Sequence, residues 1–273
     1  MSSIGSEAQR VVTTVRDHVA EVRLQRPDKR NGLDLPMFEA IIAAGEAVAR
    51  DRSVRAVVLS GEGKAFCAGL DWASFLQMGD AGAPALLARD DARSPANVAQ
   101  RVGWIWAECP VPVIAAVQGA AYGGGLQLAL GADVRLVAPD AQLSVMEIRY
   151  GLVPDMGASR TLLAVVRPDV AKELAFTGRV VGAEEAVRLG LATRVEADPR
   201  AAALELAKSI AAQSPEAIRA SKRLFDAAPA LSTRDAFHLE TELQLGLMGT
   251  PNQLEAVSAV MTKRAPSFRD PQT

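Results

Sequence analysis

Two turns in this sequence join a buried strand to a helix through small residues, a position where backbone N–H groups can do chemistry. They lie in the segments VVLSGEGKAFCAGLDW and IAAVQGAAYGGGLQL. Glycine lets the backbone approach a ligand closely, and the first N–H groups of a helix have no partner within that helix. Two such N–H groups that converge on one point would form an oxyanion hole for a polarised carbonyl. Close packing of helix against sheet is the alternative reason for small residues at each turn.

Other chemistries for these turns lack their sequence signatures. GEGKAF does not have the spacing of a Walker loop, and GAAYGGG does not match the dinucleotide pattern G-x-G-x-x-G. A serine hydrolase is a rival class, because Ser60, Ser144 and Ser159 lie near turns. No G-x-S-x-G elbow accompanies them, and the chain has only two histidines, His18 and His238. With two cysteines in addition, neither a zinc cluster nor a disulfide scaffold is expected.

The elements that position these turns alternate between strands and helices. VVTTVRDHVAEVRLQRP predicts a hairpin that turns near Asp17, and DLPMFEAIIAAGEAVARD predicts a helix capped by Asp34. Strands are predicted in VRAVVLSGEG, at 112–117 and in DVRLVAP, and helices at 94–108 and 124–131. This alternation predicts a largely parallel sheet that is covered by helices.

The last third of the chain is predicted to be mainly helical. Four helical segments follow one another, namely AAALELAKSIAAQ, PEAIRASKRLFDAA, RDAFHLETELQLGLM and NQLEAVSAVMTKR. The final residues, APSFRDPQT, are predicted to be a frayed tail. We therefore divide the chain into a core at 1–198 and a C-terminal helical region at 199–273.

Composition limits the partners of the chain. Its 273 residues include 30 basic and 32 acidic side chains, so neither a nucleic-acid partner nor a membrane-attracted surface is expected. The uncharged run between Glu108 and Asp133 is long enough to span a bilayer, but prolines and glycines interrupt it, so a buried strand, a turn and a helix are predicted. The first residues do not resemble a signal peptide, and a reducing, cytoplasmic location is expected.

Five segments in order resemble the crotonase superfamily, also called the enoyl-CoA hydratase/isomerase family. They are VRLQRPDKRNGLD, GKAFCAGLDW, VIAAVQGAAYGGGLQLALGADVRL, MEIRYGLVPDMGASRTL and MTKRAPSF, and together they extend over nearly the whole chain. The resemblance implies an α/β fold with a spiral core of stacked ββα repeats and a helical C-terminal trimerisation region. It also implies assembly as a homotrimer, or as a hexamer made of two trimers.

The resemblance further implies an acyl-CoA thioester as substrate. The thioester oxygen would accept hydrogen bonds from the N–H groups of Ala68 and Gly124, and coenzyme A would be part of the substrate, with no separate cofactor. The backbone at Ala68 and Leu70 would meet the adenine. Asp71, in the A-G-x-D element, is interpreted as a helix cap in preference to a base. Three cations would lie near the CoA phosphates, namely Lys29, Arg30 and Lys263. A solvated surface role is the alternative for each of them.

The carboxylates distinguish between the reactions of the family. In the hydratase pattern two glutamates twenty residues apart act on one water, whereas this chain has Gln127 at the first position and Glu147 at the second. Because an amide does not titrate, Gln127 can orient a water or the substrate but cannot accept and return a proton. A merely buried, hydrogen-bonded amide is the alternative role for Gln127. Asp155 follows eight residues after Glu147, as in isomerase branches of the family. Glu147 and Asp155 are therefore predicted to move protons in double-bond isomerisation, although Asp155 can also be read as a helix N-cap.

Two alternatives remain open at this point. Glu147 alone could support hydration, with Gln127 positioning the water. Alternatively, the missing carboxylate could indicate a catalytically silent protein that still binds acyl-CoA. Dehalogenase and thioester-hydrolase branches use other acid, base or nucleophile arrangements that have no counterpart in this sequence. The segment from Phe75 to about Asn97 is predicted to line the acyl pocket, and Trp104 and Trp106 are predicted to pack in the core.

Overall fold

The main sheet has six strands, and it begins with the predicted hairpin. The computed structural model describes residues 9–79, 82–89 and 94–271, apart from the side chain at 83. Strands β1 and β2 are antiparallel and joined through Asp17 and His18, whose φ angles are 49° and 66°. The remaining strands run parallel, in the order β1-β2-β3-β4-β6-β9. Their bounds are β1 Val11–Arg16, β2 Val19–Leu24, β3 Ala56–Gly61, β4 Val113–Val117, β6 Val134–Val137 and β9 Arg194–Val195.

A second, three-stranded sheet was not anticipated from the sequence. It consists of β5 (Ala120–Tyr122), β7 (Gln142–Ser144) and β8 (Val181–Gly182), in the order β5-β7-β8. The first of these strands lies inside the segment that was interpreted as a turn between strand and helix. Strands of two or three residues are too short for an alternating pattern to distinguish them from a loop. The turn is therefore more ordered than predicted.

Helices cover both faces of the main sheet. Every residue of β3 is buried, and its alternate side chains belong to two separate apolar clusters. Helices α1 and α4 pack on one face, and α9 packs on the other. Asp34 caps α1 as predicted, because its side chain accepts a hydrogen bond from the N–H of Met37. The helices before α9 are α1 Leu35–Arg50, α2 Trp72–Gln77, α3 Gly82–Leu87, α4 Val98–Ala107, α5 Gly124–Leu130, α6 Ala158–Thr161, α7 Pro168–Thr177 and α8 Ala183–Leu189.

The four predicted C-terminal helices are present, but the first of them belongs to the core. They are α9 Pro199–Ala211, α10 Pro215–Ala227, α11 Thr233–Leu247 and α12 Pro251–Thr262. Three alanines of α9 (Ala203, Ala207 and Ala211) contact the second apolar cluster, which includes residues of β2, β3, β4 and β6. By contrast, α11 has no buried residue in the single chain. The boundary proposed at 198/199 therefore falls within a packed layer.

The C-terminal tail is anchored, which corrects the prediction that it frays. The buried side chain of Arg55 donates hydrogen bonds to the carbonyl of Phe268 at 3.1 Å and to the carboxylate of Asp270 at 2.8 Å. The N–H of Arg269 donates to the side chain of Asn252 at 2.9 Å. A buried guanidinium needs acceptors, and this tail provides them. Sequence reasoning missed the anchor because Arg55 is 215 residues away from Asp270.

The predicted burial of the aromatic residues is confirmed for one of the two tryptophans. Trp106 is fully buried in the first apolar cluster, whereas Trp104 is only partly buried and donates to Glu108 at 2.8 Å. In the described ranges, we find no helix with the length and apolar character needed to cross a membrane.

Candidate active site

One cavity is lined by five of the ten site residues that the sequence singled out. It has a volume of about 440 Å³ and is lined by Glu147 and Asp155 together with the two small-residue turns. Ala68, Gly69 and Leu70 line it from the first turn, and Gly123 and Gly124 from the second. Its apolar wall includes Phe38, Trp72, Phe75, Leu86, Leu87 and Tyr150. Phe75, Leu86 and Leu87 fall in the predicted acyl-pocket segment; its positions 80–81 and 90–93 lie outside the described residues.

Backbone hydrogen bonds hold the two turns against each other. The N–H of Tyr122 donates to the carbonyl of Cys67 at 3.1 Å, and the N–H of Cys67 donates to Ala120 at 3.1 Å. At this contact a side chain has no room, because a Cβ on Gly125 would overlap the carbonyl of Cys67. Gly69 has a φ of +89°, and a Cβ there would lie 2.6 Å from the carbonyl oxygen of Tyr122. The glycines therefore serve close packing and positive φ angles at the same time.

The free N–H groups at these turns differ from the predicted pair. The N–H of Ala68 donates to the carbonyl of Arg30 at 3.0 Å, so it is already engaged. Within the described ranges, no hydrogen-bond acceptor pairs with the N–H of Leu70 or of Gly124. Gly124 is the first residue of α5, where N–H groups point out of the helix. The geometry thus favours Leu70, in place of Ala68, as the partner of Gly124.

Glu147 lies next to the glycine turn, in a 3₁₀ turn that spans Glu147–Tyr150. Its Oε1 atom accepts a hydrogen bond from Gln127 at 2.6 Å, and its buried Oε2 atom has no hydrogen-bond partner among the described residues. Burial raises the pKa of the Glu147 carboxyl; the hydrogen bond from Gln127 opposes that rise, and the charge of Asp155 adds to it. Glu147 therefore has one oxygen held in place and one oxygen available.

Asp155 lines the same cavity from the turn before α6. The residue as a whole is exposed, yet the surrounding cavity wall desolvates its carboxyl and raises the pKa above the usual value. The alternative role of Asp155 as a helix cap is not realised. Gly157, with a φ of 99°, occupies the N-cap position of α6, and no side chain caps that helix. Asp155 is thus left to face the cavity.

Gln127 does not line the cavity but lies behind Glu147. The residue is 2% exposed, and its side chain forms three hydrogen bonds. Its amide nitrogen donates to Glu147, and its carbonyl oxygen accepts from the N–H of Met156 at 2.8 Å and of Ala158 at 3.2 Å. Gln127 was predicted to orient a water or the substrate, but in the structure its amide orients a carboxylate of the protein, as expected for the alternative of a buried, hydrogen-bonded amide.

Asp71 is a helix cap, as predicted. Its side chain accepts hydrogen bonds from the N–H of Ser74 at 3.2 Å and from the Ser74 hydroxyl at 2.9 Å, and it forms an ion pair with Arg26 at 2.8 Å. Partial burial acts to raise the pKa of Asp71, but the bonds from Ser74 and Arg26 outweigh it and lower the pKa. Arg26 also pairs with Asp34 at 3.3 Å, so it ties the first turn to the start of α1.

The three predicted phosphate contacts are not brought into the cavity. Lys29, Arg30 and Lys263 are exposed and do not line it. The backbone of Arg30 contacts the first turn of the cavity, since its carbonyl accepts the Ala68 N–H, whereas Lys263 is the C-cap of α12 with a φ of 52°. Nothing in the described part of the chain groups three or more His, Cys, Asp or Glu side chains as a metal site.

Sequence reasoning missed an aromatic pair at this site. The rings of Trp72 and Tyr150 lie 4.6 Å apart with planes tilted by 32°, and Phe75 meets Trp72 edge-on at 5.9 Å. The signal available in the sequence was the position of Tyr150, three residues after Glu147 on the same 3₁₀ turn. This pair links α2 to the turn that carries Glu147.

The sheets, the covering helices and the cavity between two glycine turns define the crotonase fold. A solved structure of an enoyl-CoA hydratase from Bacillus anthracis superposes with a TM-score of 0.87 at 28% identity, covering 96% of this chain and all of that one. The sequence model of the family described as "Enoyl-CoA hydratase/isomerase" matches residues 14–271. The chain therefore belongs to the enoyl-CoA hydratase/isomerase family, whose members act on acyl-CoA substrates.

Named relatives carry both activities of the family. A "Probable enoyl-CoA hydratase" of Mycobacterium tuberculosis is 39% identical over 239 residues, which is 86% of this chain and 90% of the relative. A mitochondrial "Delta(3,5)-Delta(2,4)-dienoyl-CoA isomerase" of Homo sapiens is 34% identical over 229 residues, which is 77% of this chain and 66% of the relative. Similarity alone thus leaves both reactions in consideration.

Proposed function

We propose that this enzyme moves a double bond in an enoyl-CoA or dienoyl-CoA thioester. The observation that supports isomerisation most directly is the placement of two carboxylates, Glu147 and Asp155, in one cavity. The residue that would be the second glutamate of a hydratase is Gln127, which lies behind Glu147. Transfer of a proton from one carbon to another requires acid or base groups near both carbons but no attacking water, and two carboxyl groups in one cavity can meet that requirement.

The first step of the proposed mechanism is polarisation of the thioester carbonyl. Its oxygen accepts hydrogen bonds from the N–H groups of Leu70 and Gly124, for which we find no acceptor in the described ranges. Negative charge grows on this oxygen as the enolate forms, so both hydrogen bonds become stronger in the transition state. The positive end of α5, where Gly124 lies, adds to this stabilisation.

In the proposed mechanism Glu147 acts at the α-carbon of the thioester. A Cβ on Gly123 would lie 3.2 Å from its Oε1 atom, so the carboxylate lies beside the turn that holds the carbonyl oxygen. In the proposed reaction the Glu147 carboxylate takes a proton from the α-carbon, and the C–H electron pair enters the conjugated enolate. Protonated Asp155 then gives a proton to the carbon at the far end of the conjugated enolate. The double bond thereby moves towards the thioester carbonyl.

The raised pKa values suit this division of roles. Desolvation raises the pKa of both carboxyls, which brings a carboxylic acid nearer to its protonated form at neutral pH and makes the carboxylate a stronger base. The hydrogen bond from Gln127 favours the ionised form of Glu147, whereas Asp155 receives no hydrogen bond from another side chain in the described ranges. The first is thus suited to act as base and the second as acid.

Hydration is the second candidate, and a specific observation favours it. The unpartnered Oε2 atom of Glu147 is free to accept a proton from a water molecule. The relative from Mycobacterium tuberculosis is also named as a hydratase. In that case Glu147 would activate the water and return its proton, and Asp155 would not be required.

The decisive experiment compares the two carboxylates. Glu147→Gln and Asp155→Asn are each tested on enoyl-CoA and dienoyl-CoA thioesters by ultraviolet absorbance, with the exposed Asp140→Asn as matched control. We expect each site variant to lose about 10²–10⁴-fold in isomerisation, because a positioned acid or base contributes that much. Unchanged turnover in Asp155→Asn would exclude isomerisation by this pair and leave hydration through Glu147.

The remaining parts of the proposal concern binding and assembly. Coenzyme A enters as part of the substrate, and we propose that Lys29, Arg30 and Lys263, which are exposed and do not line the cavity, contact its phosphates outside the cavity. Exposed apolar side chains on α11 and α12 support assembly as a homotrimer, or a hexamer of two trimers. The two buried, unpaired cysteines suit a cytoplasmic enzyme.

A further inference from the structure

Both polar atoms of the Gln127 side chain form hydrogen bonds within the protein. Its amide nitrogen donates to Glu147 at 2.6 Å, and its oxygen accepts two backbone N–H groups, from Met156 and Ala158. Those two donors also fix which way the amide faces, because only an oxygen can accept from them. The NH₂ group must therefore point at the Glu147 carboxylate.

The Gln127 side chain contacts Glu147 directly and contacts Asp155 through the backbone of the next residue. Met156 directly follows Asp155, so the bond to its N–H anchors the backbone that carries the second carboxyl. Glu147 is anchored through its Oε1 atom. A single buried residue of α5 thus contacts both Glu147 and the backbone next to Asp155, although it does not line the cavity.

We propose that Gln127 is a positioning residue that fixes both carboxyl groups and holds Glu147 as a carboxylate. This inference rests on the proposed function for its catalytic meaning, but its physical basis is independent. A donated N–H favours the ionised form of an acid and counteracts the burial of Glu147. The titratable groups that line the same cavity are Asp155, Tyr122 and Tyr150, and none of the three donates to Glu147.

A glutamate at this position would reverse the effect. Its first oxygen could still accept from Met156 and Ala158, but its second would face Glu147 at the 2.6 Å now occupied by the amide contact. Two carboxylates that close cannot both ionise, so the pair would share one proton and one pKa would rise strongly. Glutamine keeps the geometry and avoids the repulsion.

The test is Gln127→Glu, with Gln213→Glu as the matched control at an exposed site. We expect the acidic limb of the kcat–pH profile to move upward by about one pH unit or more in Gln127→Glu and to stay in place in the control. Activity is measured with whichever thioester the wild type converts, so the result does not depend on the reaction assigned.

A second readout needs no activity. In Gln127→Glu the shared proton raises a folded-state pKa above its unfolded value, so the added carboxyl costs stability as pH rises above about 4. We expect the Tm difference from the wild type to grow between pH 4 and pH 8 for Gln127→Glu and to stay constant for the control. A wild type that hydrates in place of isomerising would overturn the proposed function but leave this prediction intact.

Gln127→Met separates positioning from substrate binding. It removes both polar atoms at similar length, and because Gln127 does not line the cavity, we expect kcat to fall about tenfold or more while KM changes little. The inference is overturned if the pH profile and the Tm difference of Gln127→Glu both stay unchanged with pH. It is likewise overturned if Gln127→Met alters KM and not kcat.

Discussion

Glu147 is subject to opposing influences that its neighbours set. Burial and the charge of Asp155 raise the pKa of its carboxyl, while the hydrogen bond from Gln127 lowers it. A base that is too well stabilised as a carboxylate would be weak, and one left wholly unsupported would stay protonated. The arrangement around Glu147 balances the two requirements through one amide contact.

The raised pKa values of Glu147 and Asp155 predict a pH-dependent cost to stability. A carboxyl whose folded-state pKa lies above its unfolded value gives full stability below the unfolded pKa and loses it as pH rises through the folded pKa. We expect the double variant Glu147→Gln, Asp155→Asn to gain stability over the wild type as pH rises from about 4 towards neutrality. Urea denaturation midpoints across this range provide the measurement. A difference that shrinks with rising pH would contradict it.

Part of the site could be predicted from residue types and spacing. Glu147, Asp155 and Gly124 were identified through the resemblance to the crotonase superfamily and their spacing within its motifs, and all three line one cavity. Residue types and spacing could not decide whether Ala68 or Leu70 provides the free N–H group. Whether a backbone N–H is free depends on a partner carbonyl, here that of Arg30, which comes from a different segment. The hydrogen bonds of Gln127 could not be predicted either, because its partners Glu147, Met156 and Ala158 also come from a different segment.

At the scale of elements, the site depends on two turns that fit together only because they lack side chains. Gly125 leaves space for the carbonyl of Cys67, and Gly69 approaches the carbonyl of Tyr122. The resulting parallel bridge between Cys67 and Ala121 aligns the start of α5 with the loop before α2. The N–H groups of Leu70 and Gly124, which have no acceptor among the described residues, owe their positions to that alignment.

Backbone substitution tests which N–H groups act. Replacing the Leu70 amide by an ester removes its N–H without changing the side chain, and the same change at Ala68 is the matched control. We expect the Leu70 ester to lose about 10²–10³-fold in kcat, as for loss of one oxyanion donor. The Ala68 ester breaks only the bond to Arg30, so a small loss is expected. Equal losses, or a larger loss at Ala68, would return the assignment to the original prediction.

Most long elements were predicted correctly, and most short ones were not. The hairpin, the parallel strands, α1, α5 and the four C-terminal helices follow from periodicity and capping residues. Strands β5, β7, β8 and β9 have only two or three residues, so their pairing comes from tertiary contacts. Helices α7 and α8 were also missed, because neither segment has a long apolar repeat that would predict a helix.

At the scale of the whole molecule, the C-terminal helices present an apolar surface that a single chain leaves uncovered. Phe237 and Leu245 on α11 are 60% and 67% exposed, and Val260 and Met261 on α12 are 79% and 78% exposed. Exposed apolar residues concentrated on neighbouring helices are typical of protein–protein interfaces. This surface supports the proposed self-assembly.

Sedimentation provides the test of assembly. We expect the wild type to sediment with three times the 28.8 kDa mass of one chain, or six times for a hexamer. The double variant Phe237→Glu, Leu245→Glu places charges on the exposed surface and should shift the mass towards one chain, because burying unpaired charge is costly. Glu205→Gln, at an exposed position of α9, is the control. A wild type that sediments as a single chain would contradict the proposal.

The buried thiol next to the site has a practical consequence. Cys67 directly precedes the loop that lines the cavity, yet burial raises its pKa to about 12, and its sulfur donates to the carbonyl of Asn31 at 3.1 Å. Only a thiolate reacts readily with alkylating reagents, and Cys109 is buried as well. The native enzyme should therefore tolerate iodoacetamide, so a single cysteine introduced at its surface would accept a fluorophore selectively.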